Sequence, residues 1–317
     1  MTSPLKNLRT LQDKPWRVLA IGLALAATVP WIASEFIASV ALGCLMYIAL
    51  ATSWSLFCGA TRYLSLATSA FFGLGAYASA TLLDVLPWPL VILCGAAIAS
   101  AVAVLMGAAV LHLRGTYFAV LTFGMTELIR HAVTFVEKQV SGTVGRVLTV
   151  VPSNETVYLT VLAIAGAAIA TALLVKRSRF GLALAGIGAD EQRAQTLGVD
   201  TRRVKVMGFA LTAAFAGAVG AAMAVRWTYI DPPAVFSPFI GFQTVLIAMI
   251  GGAASIGGPV AAAIVFSLLA ETLRLQLPYG YMMVLGLLLI LCVMYLPNGL
   301  ASLWQRKAAA LRRHGHE

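Results

Sequence analysis

The sequence predicts an all-α fold, a polytopic bundle of about ten transmembrane segments, and three observations carry that prediction. Of 317 residues, 60% are hydrophobic and 11% charged, with a mean hydropathy of +0.90. Soluble domains carry roughly a quarter charged residues. Continuous apolar runs rich in Ala, Leu, Gly and Val recur, near the roughly 20 residues a helix needs to cross a bilayer. The Lys and Arg residues sit beside these runs, so the net charge of +10 reads as membrane topology and lipid contact, not as nucleic-acid binding. A transmembrane barrel would instead show alternating segments of roughly ten residues.

The elements follow in order along the chain. A basic tail, 1–17, precedes a first span at 18–34. A cleaved signal peptide would match that basic flank and the small residues near 32–34, but cleavage would remove a span and spoil the parity. Further spans read at 36–59, 64–83, 89–111, 115–136 and 156–175, and a charged loop occupies 176–205. Spans at 206–226, 237–253, 259–273 and 280–300 complete a transmembrane domain of 18–303, and a basic tail covers 304–317. With the amino terminus inside, 17 of the 22 Lys and Arg residues face inward: four in the first tail, two in short loops, seven in the charged loop and four at the carboxyl end. The positive-inside rule therefore puts both termini and the loop in the cytoplasm. Read as one helix, 237–273 would be about 55 Å long at 1.5 Å per residue and would put the basic tail outside. "GGAASIGGP" at 251–259 breaks it, through four glycines and Pro259. Eight full spans with two half-spans is the alternative to ten segments.

Several chemistries are absent. No GxxxxGK[ST] phosphate loop occurs. His112, His131, His314 and His316 are scattered without zinc-site spacing, and no GxSxG nucleophile elbow is present. Cys44, Cys58, Cys94 and Cys292 lie in apolar segments without a CxxC pair and read as packing residues. No catalytic site, metal or cofactor is expected on this chain.

Four short segments stand out: "SLATSAFFGLGAY" at 65–77, "RGTYFAVLTFGMTELIR" at 114–130, "ADEQRAQTLGVD" at 189–200 and "IGGAASIGGP" at 250–259. In this order and spacing they resemble the permease subunit of bacterial branched-chain amino acid ABC transporters. Departures occur at Ala67-Thr68, where Gly-His is common, and at Ala254-Ser255, where Gly-Thr is common. The resemblance implies an importer in the bacterial inner membrane. Its partners would be a second, usually different, permease subunit, two cytoplasmic ATPase subunits holding ATP and Mg, and a periplasmic solute-binding protein. Related systems also carry urea, short amides and aromatic acids.

The charged loop then has two readings. Helical spacing places Ala189, Arg193 and Leu197 on one face of a helix over 189–197, with Asp190, Glu191 and Gln192 on the rest and Gly198 as its stop. The resemblance assigns ATPase coupling to Asp190, Glu191, Ala194 and Gly198. Arg177, Arg179, Arg202 and Arg203, and the stretch running on to Lys205, read as the basic flank that holds the loop in the cytoplasm.

Polar groups at membrane depth are candidates for a pathway, because charge there is costly unless it faces a cavity or a partner. Glu127 and Arg130, and Glu271 and Arg274, are spaced to neutralise each other. Thr116, Tyr117, Thr122 and Thr126 set hydroxyls along the fifth span; Gln243 and Ser255 flank the break. Threonine in such helices often bonds its own backbone instead. Gly73 and Gly75, with Gly251, Gly252, Gly257, Gly258 and Pro259, are the candidate hinges, simple helix packing being the alternative. A transporter working without an ATPase, or a channel, is the other functional class compatible with broken helices and buried acids; a non-transporting scaffold is a third.

Overall fold

A computed structural model describes residues 4–291, apart from Arg114, Thr149, Val150, Thr228, Ala254, Pro278, Tyr279, Met282, Leu285, Leu288 and Leu289, with side chains from Trp16 onward. Cys292, most of the predicted span at 280–300 beyond Leu291 and the predicted tail at 304–317 lie outside the described residues.

The helices are α1 (Pro4–Ala27), α2 (Val29–Ile32), α3 (Glu35–Trp54), α4 (Thr68–Leu82), α5 (Trp88–Val110), α6 (Thr116–Ser141), α7 (Asn154–Arg177), α8 (Arg179–Ala189), α9 (Glu191–Thr196), α10 (Thr201–Ala224), α11 (Pro232–Val235), α12 (Pro238–Gly251) and α13 (Gly257–Gln276). Two strands, β1 (Arg146–Val147) and β2 (Tyr229–Ile230), pair antiparallel. A polytopic helical bundle is what the composition predicts. Among the described residues, seven helical stretches are long and apolar enough to cross a membrane. The first apolar helix, Trp16–Ile32, is shorter, and α4 has 15 residues. α1 begins at Pro4, so residues expected as a tail are helical and continuous with the first span.

Helix starts follow local chemistry. Ser34, Ser153 and Ser178 each accept a backbone N–H three residues on and open α3, α7 and α8; Asp190 and Asp200 do the same for α9 and α10. The expected break falls where the glycines put it. α12 ends at Gly251, Gly252 takes φ +84°, and α13 begins at Gly257.

α10 is the centre of the bundle, and its Ala- and Gly-rich face is buried against α4 and α5. Small residues let backbones approach in the absence of a hydrophobic drive between helices in lipid. Gly73 and Gly75 do not break α4, contrary to the hinge expectation: the helix runs unbroken from Thr68 to Leu82. A Cβ on Gly73 would lie 2.4 Å from the Phe236 ring, and one on Gly75 only 1.9 Å from the Gly217 carbonyl oxygen. Gly217 in turn sits against Gly95, 2.5 Å from its carbonyl oxygen by the same measure. Gly75→Val is therefore expected to cost about 3 kcal/mol or more, the upper range for overpacking. A melting curve in detergent checks this, and an unchanged midpoint would contradict the interlock.

Candidate functional site

α3 does not end in an ordinary cap. It passes into one π-helical turn, Ser55–Gly59, then two further helical residues, Ala60 and Thr61, and a stretch without regular structure over 62–66; such π turns recur at functional sites. Arg62 within that stretch has φ +60°, a conformation that side chains other than glycine adopt at a cost. The four segments singled out in the sequence meet at this turn and the stretch that follows it.

The first two meet on the stretch after the turn. Trp54 Nε1 donates to the Ser65 carbonyl at 2.9 Å, and the Leu66 N–H donates to Thr122 Oγ1 at 3.1 Å. Tyr63 packs edge-on against Phe118, and Phe57, Phe71 and Phe118 surround Phe209 of α10. The third segment meets it through charge. Glu191 Oε2 accepts from the Tyr63 hydroxyl at 2.7 Å, and Glu191 Oε1 pairs with Lys205 Nζ at 2.7 Å. Lys205 also donates to the Leu111 carbonyl at 2.7 Å and stands over the Tyr63 ring. Both charged side chains are less than 10% exposed.

This corrects two expectations. Lys205 is buried and pins α9 to the bundle, where the sequence grouped it with a solvated basic flank; its neighbours Arg202 and Arg203 are exposed, as that reading requires. Glu191 faces inward to this pair, with its side chain 9% exposed, where the sequence set it on the solvated face of the loop helix. The helix over 189–197 is also two helices. Ala189 ends α8, and Asp190, at φ −159° and ψ 108°, accepts from the N–H groups of Gln192 and Arg193 and starts α9. Ala189 thus does not share a helix with Arg193 and Leu197. Ala194 is buried, whereas Arg193 is exposed and pairs with Asp190 at 3.0 Å. Leu197 is 85% exposed, and Gly198 follows at φ +86°, the left-handed conformation that closes a helix with glycine.

The fourth segment meets the turn through backbone. A Cβ on Gly188 of α8 would stand 2.0 Å from the Ala60 carbonyl oxygen, and one on Gly59 would stand 2.1 Å from that of Ala253 in the α12–α13 break. Gly251 and Gly258 close the break on themselves: a Cβ on Gly258 would lie 1.8 Å from the Gly251 carbonyl oxygen. Gly257 has open space beside it, and Pro259 is buried at the start of α13. Ser255 accepts from the Gly258 N–H at 3.1 Å and donates to the Gly252 carbonyl at 3.0 Å, so it is a turn residue. A cavity of about 480 Å³ opens here between the π turn, the end of α7, α8 and the break, with Arg62, Lys176, Ser255 and Pro259 in its wall.

The α6 candidates do not line this cavity. Thr122 and Thr126 donate to carbonyls of their own helix, at Ala119 and Thr122. Glu127 pairs with Arg130 at 2.5 Å. Thr116 and Tyr117 are exposed on the outer face of α6. Gln243 does line a cavity, of about 370 Å³, at the opposite end of the bundle, and its Oε1 accepts from Tyr47 at 2.8 Å. Sequence reasoning missed Gly59, Ala60, Tyr63 and Lys205. Only a tyrosine next to a loop arginine and a lysine at the mouth of a span hinted at them. It also missed Glu137, 5% exposed, which accepts from Tyr77, from the Gly145 N–H and from Arg146 and ties the β1–β2 end to α4 and α6.

Comparison with known proteins agrees with this architecture. The high-affinity branched-chain amino acid transport system permease protein LivM of Escherichia coli (strain K12) is 26% identical over 313 residues, covering 88% of this chain and 73% of the relative. LivM of Salmonella typhimurium is 24% identical with the same coverage. No solved structure matches the chain significantly. The family described as "Branched-chain amino acid transport system / permease component" matches residues 36–294. With that match spanning the bundle from α3 to beyond α13, the chain belongs to this family of multi-pass membrane permeases.

Proposed function

We propose that this chain is the translocating subunit of an ATP-driven importer for branched-chain or related amino acids, working in the bacterial inner membrane with both termini in the cytoplasm. The observation that carries the reading is the convergence of α8, α9 and the α12–α13 break on the π turn and the residues that follow it, Ala60 to Tyr63. A push on α8 and α9 from the cytoplasm reaches the break through two backbone contacts, Gly188 on Ala60 and Gly59 on Ala253. The α12–α13 hairpin lines the cavity at each end of the bundle. Displacing it changes which end is open, which is what alternating access requires. The buried pair of Glu191 and Lys205 keeps α9 rigid, so that force moves the bundle rather than bending the loop.

The partners under this reading are two ATPase subunits, which bind ATP and Mg, a second permease subunit and a periplasmic binding protein. Leu197 is the apolar knob offered to the ATPase: it is 85% exposed beside a helix held in place by buried charge. Burying a leucine contributes about 1.5–3 kcal/mol, so Leu197→Asp is expected to lower ATP-driven uptake at least about tenfold. The folded chain should be unaffected, and co-purification with the ATPase should fall in parallel. Wild-type uptake by that variant would remove Leu197 from the contact. The class of transport is tested in proteoliposomes holding the chain with its ATPase, second permease and binding protein. Leucine entry only with ATP and ATPase is expected; equal entry without them would favour a transporter working alone.

A further inference from the structure

We propose that the cavity at the end of the bundle away from α8 and α9 is a subsite that holds a free α-amino acid by its carboxylate and its ammonium group together. The inference rests on the importer reading and assigns this chain a recognition role of its own. The cavity, about 370 Å³, falls within the roughly 300–1,000 Å³ usual for small-molecule sites. It lies between the outer halves of α3, α12 and α13 and the end of α10.

Its wall brings together charges that their own helices leave incompletely matched. Arg226 spends one nitrogen on the neutral Ser39 hydroxyl at 2.8 Å, and among the described residues no carboxylate lies within salt-bridge distance of it. Glu271 and Arg274 are 4.0 Å apart, the outer limit of an ion pair, with side chains 32% and 69% exposed. Each keeps capacity for a further partner. Gln243 is 7% exposed and has its carbonyl oxygen engaged by Tyr47, so its amide nitrogen is the side it offers to the cavity. Ser267, 8% exposed, lies beside the Cys44 thiol and has no other hydrogen-bond partner among the described residues.

Two guanidiniums, one carboxylate and two neutral polar groups share one concavity at the end of the bundle, and the exposed Arg226 and Arg274 side chains are accessible to a charged solute entering it. Arg226 and Arg274 match a carboxylate, which guanidinium binds through charge-assisted bonds. Glu271 matches an ammonium. Phe239, with Tyr281 edge-on to it at 6.0 Å between centroids, supplies an apolar wall for the side chain. A zwitterionic lipid headgroup, phosphoethanolamine, shares this chemistry and is the other source of such a ligand.

The test uses the full-length chain in nanodiscs of phosphatidylglycerol, with saturation-transfer NMR on three probes: leucine, leucinamide, which lacks the carboxylate, and 4-methylpentanoate, which lacks the ammonium. Leucine is expected to bind best. Arg226→Gln should weaken leucine about three- to tenfold, as for loss of one charge-assisted bond, with leucinamide unchanged and Arg226→Lys partly restoring it. Glu271→Gln should weaken leucine and leucinamide, with 4-methylpentanoate unchanged. Unchanged melting curves establish that each variant is folded; for one that is not, Arg274→Gln supplies the carboxylate arm and Glu271→Asp the ammonium arm. Equal affinity of the three probes, or variants that bind all three as wild type does, overturns the proposal. Phosphatidylethanolamine added to the nanodisc should leave leucine binding intact; displacement of leucine by it assigns the cavity to a lipid headgroup and overturns the proposal. Uptake by the complete transporter separates the two readings. ATP-dependent import without any leucine binding here sinks this inference alone, and binding here with import independent of ATP sinks the importer reading alone.

Discussion

Lys205→Met is expected to destabilise the chain by about 3–5 kcal/mol, the usual consequence of removing one partner of a buried ion pair, and to abolish uptake. Methionine is unbranched and only one atom shorter than lysine but carries no charge, which leaves the Glu191 carboxylate and the Leu111 carbonyl without the ammonium that now satisfies them at 2.7 Å each. Melting in detergent reads the stability, and transport in the reconstituted complex reads the function. Lys205→Met combined with Glu191→Leu should return most of the stability, because an apolar pair of similar volume is often as good as a buried ion pair. Uptake should stay low in the double variant: apolar contact is non-directional, and α9 would lose the fixed angle that the pair with Lys205 and the Tyr63 hydrogen bond give it. A single variant that melts and transports like wild type would overturn the rigid-link reading.

Gly59→Val and Gly188→Val are expected to leave a folded protein that binds its ATPase yet imports at least about tenfold more slowly, a barrier change of about 1.4 kcal/mol. Each glycine faces a carbonyl oxygen at a separation no side chain tolerates, 2.1 Å for Gly59 and 2.0 Å for Gly188 measured from an added Cβ. The neighbouring segment must shift, at about 1–3 kcal/mol for such overpacking, and the shift falls on the contacts between α8, the π turn and the break. Gly186, in the same helix, has nothing within 4 Å of an added Cβ, so Gly186→Ala should transport normally and serves as the control. ATP hydrolysis measured alongside uptake separates loss of coupling from loss of assembly: hydrolysis that continues while uptake falls is the expected result, and normal uptake in both variants would remove this route.

Much of the fold was legible because bilayer burial leaves a coarse, cumulative signal. Twenty apolar residues in a row announce a membrane helix whatever they pack against, and the stop at Gly251 and Gly252 follows from backbone freedom alone. The site was legible only in part. Its four segments could be picked out, and Gly198 stands at the helix stop that the spacing placed there. The roles of individual charges could not be read, since Lys205 and Arg203 are two residues apart and differ only in which face of α10 they occupy. Gly73 and Gly75 likewise show why a glycine pair is ambiguous in sequence: a hinge and a close helix contact use the same missing side chain.

By itself, then, the sequence determined a polytopic helical membrane protein, the position of its break and the family resemblance, because hydropathy and backbone preference are local or additive along the chain. Only the tertiary structure decided that Glu191 turns inward to Lys205 and Tyr63, that α4 passes unbroken over α10, and that Arg226, Glu271 and Arg274 share one cavity with Gln243. Those facts depend on which faces meet between residues far apart in the chain, 14 positions for Glu191 and Lys205 and 128 for Tyr63 and Glu191, and burial and pairing are properties of the meeting, not of either residue.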